Sequence, residues 1–376
     1  MQFGRSALVY LDANATQPLR PRSRDAIIAA LAEAGNPSSV HGPGRQARRM
    51  LEDARETIAR CFGSRPQDVI FTSGGTEADA TAIHALRGQR RVLISAIEHD
   101  AVRAAASGAA VLPVDRSGRA DLDALADCLA DGVPTLVCLM LANNETGVIQ
   151  PVAEAATICR RHRALLHVDA IQAAGRMPVH LAQLGAHSLA ISSHKLGGPA
   201  GAGALLLSDD APFAEPLLAG GGQERGRRGG TPPVAVIAGF AAAALDALAD
   251  DLARVGALRD AAETAAEKAG GVVCGDRVHR LPNTTCLALP DVAAATQVMA
   301  LDLERIAVSA GAACSSGKVQ ASHVLAAMGL GALAGQAIRV SLPWNTTQAD
   351  IDAFIAGYAR MAGRLHPALV TAGMQA

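Results

Sequence analysis

Two side chains in this 376-residue chain have the types that amine-carbonyl chemistry requires. Lys195, in "SSHKLGG", is one of only three lysines among 34 basic residues, and Asp169, in "LLHVDA", lies twenty-six positions earlier. A lysine that reacts as an amine must lose its proton near neutral pH, against a reference value of about 10.4, and that takes burial or a cationic neighbour. Arginine stays protonated and cannot form a Schiff base, which gives a reason for a lysine in a chain that otherwise uses arginine. The plain alternative is a surface lysine, and a strand-terminal aspartate also serves as a helix cap or a metal ligand. The sequence offers no His/Asp/Glu cluster that favours metal. Together the pair meets two needs of pyridoxal 5'-phosphate: a lysine to hold the aldehyde, and a carboxylate to keep the pyridine nitrogen protonated as an electron sink.

The phosphate of that cofactor needs a cradle, and "TSGGTEAD" offers one. Gly74 and Gly75 let the backbone approach closely, and a helix starting there presents free N–H groups at Thr76 and Glu77, with Thr76 placed to cap it. The stretch lacks the GKS or GKT of a Walker loop, and strand-GGT-helix alone also marks an ordinary capped helix. Ser192, Ser193 and His194, just before Lys195, are further donors. His99 follows the apolar run in "RVLISAIEHD", and Asn144, in "NNETG", suits a turn as well as a site. Seven cysteines without a CxxC pair predict free thiols in a reducing compartment. Most sit in apolar settings such as "LVCLML", but Cys314, in "SAGAACSSGKVQ", is surrounded by small and polar residues and is expected on a flexible loop.

These residues need elements to place them, and the chain alternates strand and helix patterns, which predicts an α/β fold with a mainly parallel sheet. "DVIFTSGG", "RVLISAIEHD", "PTLVCLMLANNETG", "ALLHVDAIQ" and "SLAISSHK" each end an apolar run in polar residues, and strand C-termini are where open α/β sheets build sites. From about Val234 a long Ala/Leu pattern predicts a helix able to bridge two domains, followed by the mixed short elements of a smaller α+β lobe. The length is consistent with two domains or one large unit. Half the residues are hydrophobic and the formal charge is −1, so no field draws the chain to nucleic acid or an anionic membrane. No apolar stretch is long enough for a membrane span or a leader, and a cytoplasmic location is expected. The "RGRRGG" run from Arg225 has no flanking aromatics, which leaves nucleic acid the weaker reading of it.

Taken in order, "YLDANAT", "GNPSSVHGPGRQA", "IFTSGGTEAD", "IEHDAV", "NNETGVIQP", "HVDAIQ", "SSHKLGGPAGAGAL", "GGGQERGRRGGTPP", "VSAGAACSSG" and "AIRVSLPW" resemble the cysteine desulfurases of the NifS/IscS type, in the class V aminotransferase group of fold type I pyridoxal-phosphate enzymes. The resemblance covers nearly the whole chain. It implies a large cofactor-binding domain over residues 12–250 and a small domain, 1–11 with 251–376, that carries the catalytic cysteine loop.

The resemblance also implies roles. Lys195 holds the cofactor, Asp169 pairs with its ring nitrogen, Gln172 bonds the ring oxygen and His99 stacks on the ring. Gly75 and Thr76, with Ser192 and His194, receive the phosphate, and Thr231 reaches it from the second subunit of a homodimer. Arg339 grips the substrate carboxylate with help from Asn144. Cys314 takes sulfur from L-cysteine as a persulfide, leaving L-alanine, and passes it to an acceptor protein for iron-sulfur cluster assembly or other sulfur trafficking. The spacing after Cys314 resembles the long-loop group, which delivers sulfur directly. Gln17 stands where threonine is usual and Ser193 where glycine or alanine is frequent, and the chain lacks the longer C-terminal tail of housekeeping members, so the acceptor is left open. A selenocysteine lyase or another class V aminotransferase, with Cys314 incidental, is the alternative enzyme, and a sulfur-relay protein without cofactor is the alternative from outside enzymology.

Overall fold

The computed structural model describes residues 8–313 and 319–366. Seven strands form one sheet in the spatial order Val69–Thr72, Gly203–Leu207, Ser188–Ser192, Leu165–Asp169, Thr135–Cys138, Arg91–Ser95 and Ala110–Leu112. The last five are mutually parallel, and Gly203–Leu207 runs antiparallel to both of its neighbours. The continuous apolar runs of the central strands follow from burial on both faces. Val137, Leu166 and Val168 pack into one core, while Leu136, Cys138 and Leu165 pack into another on the opposite face, the two-residue alternation of a strand.

A second sheet, all antiparallel, has the order Ser309–Ala310, Ala337–Ser341, Thr284–Ala288, Val272–Val273. Its own core takes Val255 and Leu258 from the helix Leu252–Lys268 and Phe354 and Tyr358 from the helix Gln348–Leu365. Val9 and Leu11 also pack there, because the strand Val9–Tyr10 pairs with Ile306–Ala307.

The Ala/Leu stretch after Val234 is two helices, Val234–Ala247 and Leu252–Lys268, rather than one. The break is made by acids. Asp251 caps the second helix by accepting from the Arg254 N–H at 3.0 Å, and Asp250 receives the Arg20 guanidinium through two bonds of 2.9 and 2.5 Å. The first helix adds Ile237 and Phe240 to the core of the large sheet.

The helix after "TSGG" spans Gly75–Arg87, and its N-cap is Gly74, not Thr76. Glu77 reaches back from the first turn to accept the Ser73 N–H at 2.7 Å, the Thr72 hydroxyl donates to the Gly74 carbonyl at 2.9 Å, and Thr76 lies inside the helix. Its hydroxyl is therefore not spent on capping. Two of the three "RGRRGG" arginines are held within the chain: Arg228 pairs with Glu77 at 2.7 Å and Arg227 donates to the Gln67 carbonyl, and a buried Arg55–Glu224 pair at 2.7 Å fixes the turn before them. Among the described residues no helix is long and apolar enough to cross a membrane.

Candidate active site

The C-terminal ends of the parallel strands, together with one end of the second sheet, enclose a cavity of about 410 Å³. Asp169 is the last residue of its strand, Ser192 is the last of the next, and Lys195 follows in the turn Ser193–Lys195. All three line the cavity. The crevice of an open α/β sheet lies outside the carboxyl ends of its strands, so polar residues at those ends line it.

Burial pulls the Lys195 amine down to about 7, helped by the positive charges of Arg176 and Arg339. Its Nζ donates to the carbonyls of Asn14 at 2.6 Å and Ala15 at 2.8 Å. Two acceptors satisfy the two N–H bonds of a neutral amine, whereas an ammonium would have a third to place. Burial pushes the Asp169 carboxyl up, opposed by the Ile171 N–H, donated to its Oδ1 at 2.8 Å, and by positive charge whenever His99 or Lys195 carries it.

His99 is the N-cap of the helix Asp100–Ala105, its Nδ1 accepting from the Ala101 N–H at 3.1 Å, and the ring borders the cavity. That bond leaves Nε2 as the protonated nitrogen of the neutral ring. Gly75 and Thr76 line the cavity at the start of their helix, beside Ser192. The Ser192 hydroxyl is buried without a hydrogen-bond partner. A Cβ at position 75 would overlap Ile171, which explains the second glycine of the turn. His194, whose Nδ1 lies 3.3 Å from the Thr16 hydroxyl, is pulled down to about 4 by burial and by Lys195 and Arg176, so it is a neutral donor at physiological pH.

Gln172 donates to the Asn14 carbonyl at 3.0 Å and accepts from Arg176, which holds its amide at the cavity edge. Arg339 enters from the second sheet, bonded to Asp12 at 2.7 Å and to the Asn144 carbonyl at 3.2 Å, with its Nε buried and unpartnered. Asn144 itself lines the cavity, and the turn is made by its neighbour, Asn143, whose Oδ1 accepts the N–H groups of Glu145 and Thr146 at 2.9 and 3.0 Å. Of the remaining predicted residues, Thr231 is exposed and does not line its own chain's cavity, and Cys314 lies outside the described residues.

A model of the class-V aminotransferase family matches residues 9–354. The chain belongs to this family. A cysteine desulfurase from Cereibacter sphaeroides is 43% identical over 361 residues, covering 92% of this chain and 93% of that one. The X-ray structure of a NifS-like protein from Rickettsia africae superposes with a TM-score of 0.87 at 35% identity, covering 94% of this chain and 99% of the other. SspA in complex with cysteine superposes with a TM-score of 0.78 at 27% identity, covering 90% and 99%.

Several groups at this class-V site escaped the reading of the sequence. Asp12 and Asn14 form one wall, and Arg176 is 4% exposed and bonds the Lys195 carbonyl from below at 3.4 Å. Glu98 is fully buried and pushed up to about 8 by desolvation and the charge of Asp169. His167 is pulled down to about 3 by burial, with its Nε2 3.1 Å from the equally buried Asp79. Asp12 and Asn14 lie in a block quoted for its resemblance, but their partners are more than a hundred residues away in sequence. Nothing local to "AAGRMP" marks Arg176.

Proposed function

We propose that this chain is a pyridoxal-phosphate-dependent cysteine desulfurase that converts L-cysteine to L-alanine and moves the sulfur to Cys314 as a persulfide. The observation that carries the reading is the meeting of Lys195, its amine close to half-neutral at pH 7, with Asp169 and Arg339 in one cavity. The residues fit the cofactor. The buried, unpartnered Ser192 hydroxyl beside the N-terminus of the Gly75–Arg87 helix is a donor set waiting for a phosphate. Thr76 and His194 border the same space, and Asp169 lines it as the carboxylate that would keep a ring nitrogen protonated.

When bound, pyridoxal phosphate supplies an electron sink for the charge left on Cα. The chain supplies the rest. Arg339 binds the substrate carboxylate in exchange for Asp12, with Asn144 beside it. Lys195 removes and returns the Cα proton through Nζ, which its lowered basicity allows. Asp169 would hold a ring nitrogen protonated, and His99, with Nε2 carrying its proton, lines the same cavity and would exchange protons with the reacting groups. The Cys314 thiolate attacks the substrate Sγ, forming an S–S bond as the Cβ–S bond breaks. The electron pair stays with the carbon skeleton, which is protonated to alanine. Relatives named cysteine desulfurase and a structural neighbour holding cysteine support this substrate. A homodimer in which the partner's Thr231 completes the phosphate site accounts for the exposure of Thr231 here, and delivery of sulfur to an iron-sulfur assembly protein is the onward step.

The test begins with the visible spectrum of the purified protein, followed by borohydride reduction and mapping of the labelled lysine. A yellow protein labelled at Lys195, with sulfide release from L-cysteine that Cys314→Ala abolishes while the colour stays, is the expected result. A protein that cannot be loaded with cofactor, or one in which Cys314→Ala retains full sulfide release, overturns the reading.

A further inference from the structure

The cavity lining carries titratable groups that the mechanism above does not use: Glu145, His323 and Asp100. Glu145 is 2% exposed and its position is fixed from behind, since its N–H is donated to Asn143 Oδ1 at 2.9 Å and Asn143 Nδ2 is donated to the Ile97 carbonyl at 3.1 Å. Its Oε2 receives the Ser322 hydroxyl at 2.5 Å. Ser322 is also the N-cap of the helix His323–Ala327, accepting the Leu325 N–H at 3.0 Å. Beside the same oxygen, a Cβ at position 311 would overlap the Glu145 carboxylate, so only glycine lets the chain pass that close. His323 adds a second tie, its Nε2 3.1 Å from the Glu98 carbonyl, next to His99.

Gly311 and Ser322 are not two unrelated contacts. Ala312–Ala313 and Val319–Gln320 pair as antiparallel strands, so Gly311 and Ser322 stand at the entry and exit of one hairpin, and Cys314 lies between those strands in sequence. We propose that Glu145 is a positioning residue for the sulfur-transfer step: its carboxylate accepts the Ser322 hydroxyl on one stem and packs against Gly311 on the other, holding to the wall of the substrate cavity the two stems that flank Cys314 in sequence. The inference rests on the desulfurase reading and adds to it a residue that acts on the cysteine through the stems, without touching the sulfur. Reaction geometry is sensitive at this level, because a misplacement of about 1 Å costs on the order of a hundredfold in rate.

The test uses the cofactor-loaded protein and single turnovers with L-cysteine, reading persulfide on Cys314 as a mass gain of one sulfur. The Ser322 side chain does not line the cavity, so Ser322→Ala should leave the KM for cysteine unchanged and slow persulfide formation by about tenfold to a hundredfold. Glu145→Ala should slow it as much, and the double variant should be no slower than either single one, the signature of a shared interaction. Glu145→Gln should recover most of the rate, because its amide oxygen still accepts the Ser322 hydroxyl. Wild-type persulfide rates in Ser322→Ala, or a Glu145→Ala defect confined to KM, would overturn the assignment. Failure of the wild-type protein to form any persulfide strikes instead at the desulfurase reading.

Discussion

An amine pulled to about 7 reacts as a nucleophile at pH values where an exposed lysine is almost wholly protonated. Only the neutral form of Lys195 condenses with an aldehyde, so the rate at which cofactor-free protein takes up pyridoxal phosphate should rise with pH up to about 7 and then level. Absorbance growth followed across a pH series checks this, and a rise continuing towards 10 would place the amine in solvent. Glu98 titrates in the opposite sense. Its folded value is about 8, against about 4.3 when unfolded, so between these values the folded state holds a proton that the unfolded chain releases. Stability is lost as pH rises through that window. Glu98→Gln keeps an oxygen for the Met140 N–H and the Ser95 hydroxyl, which Glu98 accepts at 2.7 and 2.8 Å, but removes the titration. Urea midpoints should show the variant gaining on the parent between pH 5 and pH 8.

Individual elements meet at distances that leave no room for a side chain. The strand Gly203–Leu207 passes the turn before the Gly75–Arg87 helix so closely that a Cβ at 203 would lie 2.6 to 2.8 Å from the Gly74 backbone. Backbone cannot swing aside as a side-chain tip can. Gly203→Ala should therefore push out the turn that starts the phosphate cradle, costing about 1–3 kcal/mol in stability. It should also weaken cofactor retention while leaving Lys195 reactive. Denaturant melts and dialysis against buffer without cofactor measure the two effects separately.

Across the whole molecule, Arg20 joins the turn of Lys195 to the break between the two long helices. It donates to the Leu196 carbonyl at 2.7 Å and pairs with Asp250 through both terminal nitrogens, and its guanidinium lies 5.0 Å from the Trp344 ring centroid. Arg20→Ala removes its bonds to Leu196 and to the partly exposed Asp250 and should cost about 1–3 kcal/mol, read from equilibrium unfolding. The exposed Thr231 carries the largest-scale expectation. Sedimentation should give twice the chain mass, and Thr231→Ala should loosen the phosphate without changing the absorbance maximum, whereas a monomer with full cofactor affinity would remove the second subunit from the site.

Residue chemistry and strand ends were legible in the sequence because both are local. A lysine among arginines, an aspartate closing an apolar run and two glycines before a helix each declare a capacity in a few positions, and the parallel sheet follows from apolar runs that need burial on both faces. The sequence left Thr76 as a cap, because capping and ligand binding ask for the same residue types, and only the Glu77 reach-back to Ser73 showed that its hydroxyl was not needed there. It also read one helix where Asp250 and Asp251 make two, since the partner that draws Asp250 out is Arg20, 230 positions away. Tertiary structure alone decided that Arg176 and Arg339 flank the Lys195 amine, that Glu98 is held neutral beside Asp169, and that Glu145 faces both Gly311 and Ser322. These depend on which charges share a dry space, and proximity and desolvation belong to the folded chain rather than to any stretch of its sequence.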